Sequence, residues 1–187
     1  MSPEFNRFIL TKILRWKITP GENRIPEEKK IVFLFAPHTS IWDFVCGYFY
    51  FRALGGHLRI MIKKEAFKGP FGALLRRMGG YPIDRKNPSG ALVPLIHEMN
   101  SSESFYLAIC PEGTRKAVRR WKTGYHTIVK ETGAALYLSH VDYARREIGY
   151  GKPFTISENA REDTDRIQAL YRDMHLTGLR PSDYTTE

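Results

Sequence analysis

One stretch of the sequence decides the fold: residues 31–44, which read IVFLFAPHTSIWDF. Its first five residues are β-branched, aliphatic or aromatic, a composition typical of a buried strand. Pro37 ends that strand, because a proline removes a hydrogen bond from the sheet ladder. His38 and Asp43 follow at the strand end, where α/β folds place their functional sites. The stretch therefore predicts a strand with a histidine and a carboxylate just beyond its carboxyl end.

The pair His38 and Asp43 is suited to general base catalysis. A histidine accepts protons near neutral pH, and a neighbouring carboxylate can fix its tautomer and orientation. Within a single helix, a five-residue spacing would separate the two side chains by roughly 140°. We therefore expect His38 to lie in a turn before the helix that contains Asp43, with Thr39 and Ser40 as candidate helix caps. Taken alone, this spacing is a weak pattern and favours ordinary surface or packed residues.

Other reactive side chains give weaker signals. His140 and Asp142 share a face of a predicted strand, because alternate strand residues point the same way, but no turn precedes them. Cys46 and Cys110 are not part of a Cys-x-x-Cys or Cys/His cluster. That pattern argues against a disulfide scaffold or a zinc site. We expect two buried, reduced thiols of a cytoplasmic protein and no bound metal.

The composition describes a globular domain with excess positive charge. The chain has 187 residues, of which 42% are hydrophobic and 26% charged, so it fits one folded domain. Its formal net charge of +9 suits an anionic partner, such as nucleic acid, an anionic membrane surface or a phosphorylated small molecule. No secretory signal is visible, and no apolar run of about 20 residues predicts a transmembrane helix.

Predicted strands and helices alternate along the chain. Strands are predicted at 31–36, 58–63, 104–110, 135–142 and near 153–157, with a short extended piece at 81–83. Helices are predicted at 41–54, 71–78, 89–100, 121–132 and 161–175. This alternation predicts a single α/β domain with a mixed, mostly parallel sheet flanked by helices.

The first 20 residues predict an amphipathic helix. Apolar side chains fall at helical spacing, with basic residues among them: Phe5, Phe8, Ile9, Ile13 and Trp16, with Arg7, Lys12, Arg15 and Lys17. Such a helix can lie in a membrane interface, or it can pack its apolar stripe on the domain. The two alternatives are about equally compatible with the pattern, since the basic residues are only partly segregated.

A second strand end combines a carboxylate, a tight turn and cations. Residues 109–116 read ICPEGTRK and continue the apolar run at 105–109. Gly113 permits a tight turn. Glu112 can accept a hydrogen bond from a hydroxyl or hold an arginine, and Arg115 offers a planar fork for phosphate or carboxylate. The alternative is a solvated basic turn.

A third segment, residues 79–86, reads GGYPIDRK. Paired glycines precede a short extended piece and an Asp-Arg pair. Arg85 would add a second phosphate ligand, and Asp84 would orient it. The alternative is a surface turn with a local ion pair of little energetic consequence.

Taken in order, the three motifs resemble the glycerolipid acyltransferase family, best known for the 1-acyl-glycerol-3-phosphate (lysophosphatidic acid) acyltransferases. The resemblance covers about residues 36–124. It implies a glycerol-3-phosphate acyltransferase-like fold, with an acyltransferase domain at 21–187 after an N-terminal amphipathic helix at 1–20. It also implies transfer of a fatty acyl group from acyl-CoA or acyl-carrier protein to a hydroxyl of a lysophospholipid-type acceptor, in phospholipid biosynthesis.

The resemblance implies roles for individual residues. His38 would be the general base, and Asp43 would orient its imidazole. The acceptor and its phosphate would be bound by Arg85, Glu112, Gly113, Thr114 and Arg115. The family's fourth motif, an apolar strand with a proline, corresponds to residues 134–141, which contain no proline.

The chemistry of a thioester fits this assignment. A thioester is already an activated acyl donor, so no tightly bound cofactor, metal or protein nucleophile is required. Negative charge that develops on the carbonyl oxygen needs hydrogen-bond donors. Backbone amides near the turn at Thr39 and Ser40 are the candidates, and the sequence does not show which of them donate.

We therefore expect a cytoplasmic enzyme bound peripherally to the cytoplasmic face of a membrane. Its partners would be a lysolipid acceptor, acyl-CoA or acyl-carrier protein, and the anionic lipid surface; an amino-acid lipid with a free hydroxyl is an alternative acceptor. One competing hypothesis is a non-catalytic module for anionic lipid or nucleic acid, although no nucleic-acid-binding motif is present. Another is an acyl thioesterase in which His38 activates water.

Overall fold

The computed structural model describes residues 2–84 and 86–185, and a seven-stranded sheet organises them. The strands are β1 (Lys17–Ile18), β2 (Lys30–Ala36), β3 (Leu58–Lys63), β4 (Gly80–Ile83), β5 (Phe105–Ile109), β6 (Ala135–Asp142) and β7 (Glu147–Phe154). Their order across the sheet is β1-β7-β6-β2-β5-β3-β4. Every neighbouring pair is parallel except β6 and β7, which are antiparallel. The mixed, mostly parallel sheet predicted from the sequence is confirmed.

Helices cover both faces of this sheet. They are α1 (Pro3–Phe8), α2 (Trp42–Ala53), α3 (Gly69–Arg77), α4 (Pro88–Ser101), α5 (Gly124–Thr132) and α6 (Ala160–Asp173). A π-helical turn, Ile9–Ile13, continues α1, and 3₁₀ turns lie at Lys64–Phe67 and Pro181–Asp183. Among the described residues, no helix is both long and apolar enough to cross a bilayer.

The central strand β2 separates two hydrophobic cores. Val32 and Leu34 pack into the core that α4, α5 and α6 cover. Phe33 and Phe35 pack into the opposite core, which includes residues of α2. A strand buried on both faces needs apolar side chains at every position, which explains the unbroken run at 31–36.

The predicted elements differ from the structure at β1 and β7, the two strands at one edge of the sheet. The strand expected near 153–157 is instead β7, Glu147–Phe154, which pairs antiparallel with β6. Its sequence, EIGYGKPF, contains two glycines and a proline. Both residue types are depleted in strands, so the sequence pattern does not indicate a strand over the full length of β7. The helix expected over the first 20 residues ends with the π-helical turn at Ile13, and Lys17–Ile18 then pairs with β7 as β1.

Candidate active site

The parallel sheet brings the sequence motifs to one edge. Strand β2 lies between β6 and β5, with Leu34 in register with Ile109 and Ala36 in register with His140. The carboxyl ends of parallel neighbours meet at the same edge of a sheet. The turn after β2 and the loop after β5 therefore lie side by side, although 74 residues separate His38 from Glu112.

The turn after β2 holds His38 against Asp43. The peptide bond between Ala36 and Pro37 is cis, and α2 begins at Trp42, so His38 lies in the turn before the helix, as the spacing predicted. His38 Nδ1 is 3.1 Å from Asp43 Oδ2. The Asp43 side chain is 1% exposed and that of His38 is 22% exposed. The carboxylate is thus buried behind an imidazole that reaches the surface.

Asp43 also organises the backbone of the turn. Its Oδ2 accepts hydrogen bonds from the amides of Thr39, at 2.7 Å, and Ser40, at 2.8 Å. A carboxylate in the first turn of a helix is further favoured by the helix dipole. Because both amides donate to Asp43, they are not free to stabilise an oxyanion, so the donors expected near this turn are not the amides of Thr39 and Ser40 themselves. With Oδ2 accepting from Nδ1–H, His38 Nε2 is the ring atom left to accept a proton.

Tyr143, which no sequence motif indicated, completes the environment of Asp43. Its hydroxyl donates to Asp43 Oδ1 at 2.6 Å, and its ring packs edge-on against Trp16 with centroids 4.9 Å apart. Burial, together with the hydrogen bond to Asp43, raises the pKa of Tyr143 well above its ordinary value, so the phenol remains a donor. Tyr143 follows β6 directly, and its place beyond a strand end was the only available signal.

Glu112 approaches His38 from the loop after β5. Its Oε1 accepts a hydrogen bond from the His38 backbone amide at 2.8 Å. The residue is buried, and its Oε2 has no hydrogen-bond partner in the described part of the chain. Burial raises the pKa of the Glu112 carboxyl to about 8, and the negative charge of Asp43 adds to the effect. In the structure Glu112 positions the His38 turn, and its contact with an acceptor stays a prediction.

Gly113 gives the loop after β5 its tight turn. Its φ of 67° lies in the left-handed region that favours glycine. Its amide donates to the Cys110 carbonyl at 3.0 Å, and the Lys122 amide donates to the Pro111 carbonyl at 2.8 Å. The loop therefore folds back on itself and directs the following residues outward.

Those following residues line a cationic cavity. It has a volume of about 320 Å³ and is lined by Thr114, Arg115, Lys116 and Arg180. Arg115 is exposed, and its side chain makes no hydrogen bond or ion pair with residues 2–84 or 86–185. The sequence motifs include Thr114 and Arg115 but not Arg180, which lies far along the chain and outside every motif.

A larger cavity of about 940 Å³ lies elsewhere in the molecule. Residues of the loop at 21–28, with Tyr137 and Tyr150, line it. That loop precedes β2, whereas the motif residues follow β2 and β5. Because the larger cavity contains no motif residue, its size alone does not mark it as the active site.

The third motif contributes the predicted site residue Arg85 and its neighbour Asp84. Arg85 lies outside the described residues, and Asp84, expected to orient it, accepts hydrogen bonds from Lys64 Nζ and the Lys86 amide.

His140 and Asp142, the other histidine–carboxylate pair considered from the sequence, do not bind each other. His140 approaches Thr19 and Glu147, while Asp142 pairs with Arg145.

Cys46 and Cys110 form no disulfide, and the two side chains are not equally buried. Cys46 is buried as predicted, and its burial raises the pKa of its thiol to about 12. Cys110, at the end of β5, is only half-buried, so the expectation of two fully buried thiols was wrong for this residue.

Comparison with known proteins identifies the family. The chain is 27% identical over 177 residues to the 1-acyl-sn-glycerol-3-phosphate acyltransferase of Streptococcus pneumoniae (strain ATCC BAA-255 / R6). The match covers 86% of this chain but 66% of that relative's length, just under two thirds. The crystal structure of the 1-acyl-sn-glycerophosphate (LPA) acyltransferase PlsC from Thermotoga maritima has a similar fold, with a TM-score of 0.58 and 15% identity over 94% of this chain and 79% of that one. Residues 18–141, more than half of the chain, match the family model described as Acyltransferase, and the chain therefore belongs to the acyltransferase family.

Proposed function

We propose that the protein is an O-acyltransferase that moves a fatty acyl group from acyl-CoA or acyl-carrier protein to a hydroxyl of a lysophospholipid-type acceptor. The observation that best supports this proposal is the His38–Asp43 pair at the edge of the sheet, with a cationic cavity on the adjoining loop. Family membership and the activities for which the two similar proteins are named agree with this proposal. The preferred acceptor is 1-acyl-glycerol-3-phosphate, which would place the reaction in phospholipid biosynthesis.

In the proposed reaction His38 acts as the general base. Its Nε2 removes the proton from the acceptor hydroxyl as that oxygen attacks the thioester carbonyl. The carbon–sulfur bond then breaks, and the departing thiolate takes the proton from the imidazolium. Asp43 holds the ring in one orientation and stabilises the imidazolium without taking the proton itself. The acyl group passes directly between the substrates, so the protein forms no covalent intermediate.

The N-terminal segment supplies the proposed membrane contact. Leu10 and Trp16 are buried against the domain, so part of the apolar stripe packs inward. Phe5, Phe8 and Ile13 remain 50%, 53% and 61% exposed, with the exposed cations Lys12, Arg15 and Lys17 nearby. Exposed aromatic and aliphatic side chains interspersed with basic residues suit an anionic lipid surface. We therefore propose peripheral association with the cytoplasmic face of a membrane.

A vesicle experiment tests this contact. The double substitution Phe8→Ser and Ile13→Ser removes two exposed apolar side chains, and we expect it to lower the partition coefficient onto anionic vesicles about 10-fold or more. The control is Leu170→Ser, which changes a similarly exposed leucine on α6. Equal binding by the wild type and the double variant in a sedimentation assay would contradict the proposed membrane contact.

The activity is tested by offering acyl-CoA and acyl-carrier protein as donors with a panel of lysolipid acceptors. Mass spectrometry of the lipid products distinguishes the acylated acceptor from free fatty acid. We expect an acylated lysolipid as the main product of the wild type. Free fatty acid as the main product would favour a thioesterase, and no acylation of any acceptor would contradict the proposed function.

A further inference from the structure

The segment after α6 returns across the turn that contains His38. The Thr177 carbonyl accepts a hydrogen bond from the Tyr143 amide at 2.9 Å. The guanidinium of Arg180 donates to the Thr39 carbonyl through Nη2, and its backbone amide donates to Thr39 Oγ1 at 3.4 Å. Arg180 is thus fixed beside the residue that follows His38, although none of the three sequence motifs includes it.

The charges around the cationic cavity are unbalanced. Asp183 pairs with Arg180 Nε at 2.8 Å and with Lys116 Nζ at 3.3 Å. The cavity therefore combines three cations, Arg115, Lys116 and Arg180, with one carboxylate. Two positive charges remain uncompensated in a concave site, which attracts an anion.

The guanidinium of Arg180 retains donors for such an anion. Asp183 and the Thr39 carbonyl engage Nε and Nη2, and an arginine has five N–H donors in all. The side chain is 53% exposed. Arg115 has no protein partner in the described part of the chain. Two guanidinium groups from separate segments suit a phosphate monoester, whose oxygens accept paired hydrogen bonds.

We propose that Arg180 binds the phosphate of the acceptor and, with Arg115 and Lys116, forms a phosphomonoester site built from two distant parts of the chain. This inference rests on the proposed acyl transfer. The Arg180 contact with Thr39 links the site to the His38 turn. A bound phosphate would thereby place a hydroxyl on the same small molecule near His38 Nε2.

The decisive experiment compares two acceptors that differ only in the phosphate, 1-acyl-glycerol-3-phosphate and 1-acylglycerol. For Arg180→Ala we expect the KM of the phosphorylated acceptor to rise about 10- to 100-fold, the range for a lost hydrogen bond to a charged group. We expect the KM of acyl-CoA to stay within about twofold, and kcat/KM for 1-acylglycerol to fall far less than that for the phosphorylated acceptor, because only the phosphorylated acceptor loses a phosphate contact. Arg180→Lys, which keeps the charge but not the fork, should recover part of the loss.

A matched control separates this effect from a general loss of surface charge. Arg161→Ala removes another half-exposed arginine that pairs with an aspartate on its own helix, Asp165. It should leave the KM of both acceptors unchanged. Thermal unfolding of each variant checks that the fold is intact.

Three other kinetic outcomes would overturn the inference. If Arg180 only fixes the Thr39 backbone, Arg180→Ala lowers kcat/KM equally for both acceptors. If the cavity binds a phosphate of the acyl donor, the KM of acyl-CoA rises instead. Normal kinetics of Arg180→Ala in an active enzyme would refute the inference and leave the proposed function intact. If the wild type transfers no acyl group, the proposed function fails. Calorimetry with glycerol 3-phosphate then tests the phosphate site on its own, since the inference requires binding to the wild type but not to Arg180→Ala.

Discussion

The turn that contains His38 and the cationic cavity lie side by side but are organised in opposite ways. In the turn, Asp43 is buried and both of its carboxylate oxygens accept hydrogen bonds from the protein. In the cavity, Arg115 is exposed and has no partner among residues 2–84 and 86–185. The proposed base is therefore oriented by the protein alone, whereas the three cations of the cavity share a single carboxylate, that of Asp183. Rigid support suits the chemical step, and an incomplete site suits selective binding.

The largest expected effect comes from a substitution of Asp43, which supports the His38 turn. Asp43→Asn replaces one carboxylate oxygen with an amide nitrogen, which cannot accept a hydrogen bond. Whichever way the amide turns, it faces a donor: His38 and two backbone amides on one side, or Tyr143 on the other. We expect kcat to fall about 10²- to 10⁴-fold. Steady-state kinetics checks this, and a loss of less than about threefold would mean that Asp43 does not orient the base.

Removing the hydroxyl of Tyr143 also weakens the hydrogen bonding of Asp43, with a smaller expected effect. Tyr143→Phe keeps the ring against Trp16 but leaves Asp43 Oδ1 buried without a donor. We expect a destabilisation of about 1–3 kcal/mol and a fall in kcat of about 10-fold. The KM of the acceptor should not change, because Tyr143 does not line the cationic cavity. A change confined to that KM would contradict the positioning role.

Glu112→Gln tests the support through the pH dependence of stability. Because burial raises the pKa of Glu112 from 4.5 to about 8, the folded protein retains a proton that the unfolded chain has lost in this interval. The contribution to stability is fully present below pH 4.5 and declines as the pH rises to about 8. The glutamine variant lacks this titration and keeps an oxygen for the His38 amide. Its free energy of unfolding should decline less, by on the order of 1 kcal/mol or more, in denaturant titrations across this range.

Glu22 provides the control for that measurement. Burial raises its pKa to about 7, and it accepts hydrogen bonds from Tyr50 and from the Tyr150 amide, away from the motif residues. Glu22→Gln should remove a decline in stability that ends near pH 7 and leave acyl transfer unchanged. Identical pH profiles for wild type and Glu112→Gln would contradict the buried, protonated state of Glu112.

The smallest expected effect is that of ionic strength on the cationic cavity. Salt screens exposed charges more strongly than buried ones. Raising the ionic strength about tenfold should increase the KM of a phosphorylated acceptor severalfold and leave kcat within about twofold. Initial rates in 1-acyl-glycerol-3-phosphate titrations at low and high salt check this. A fall in kcat with an unchanged KM would mean that salt acts on the His38 turn and not on the cationic cavity, which would contradict the comparison.

The sequence predicts the local part of this arrangement well. The apolar run at 31–36, Pro37 and the five-residue spacing from His38 to Asp43 indicate a strand, a turn and a helix, because each signal acts within a few residues. The parallel sheet then places the Glu112 loop beside the turn. Tyr143 and Arg180 were not predicted, since they reach Asp43 and Thr39 across 100 and 141 residues, from a turn and an irregular segment without periodicity. The role of Glu112 also depends on burial, which its motif does not reveal.

The rate of product formation by wild type and His38→Ala tests the central claim most directly. Both proteins are assayed with the same acyl donor and the same lysolipid acceptor, and the acylated product is measured by mass spectrometry. We expect the wild type to form the acylated lipid and His38→Ala to form it about 10²- to 10⁴-fold more slowly, with an unchanged thermal unfolding midpoint. Acyl transfer at the wild-type rate by His38→Ala would contradict this expectation.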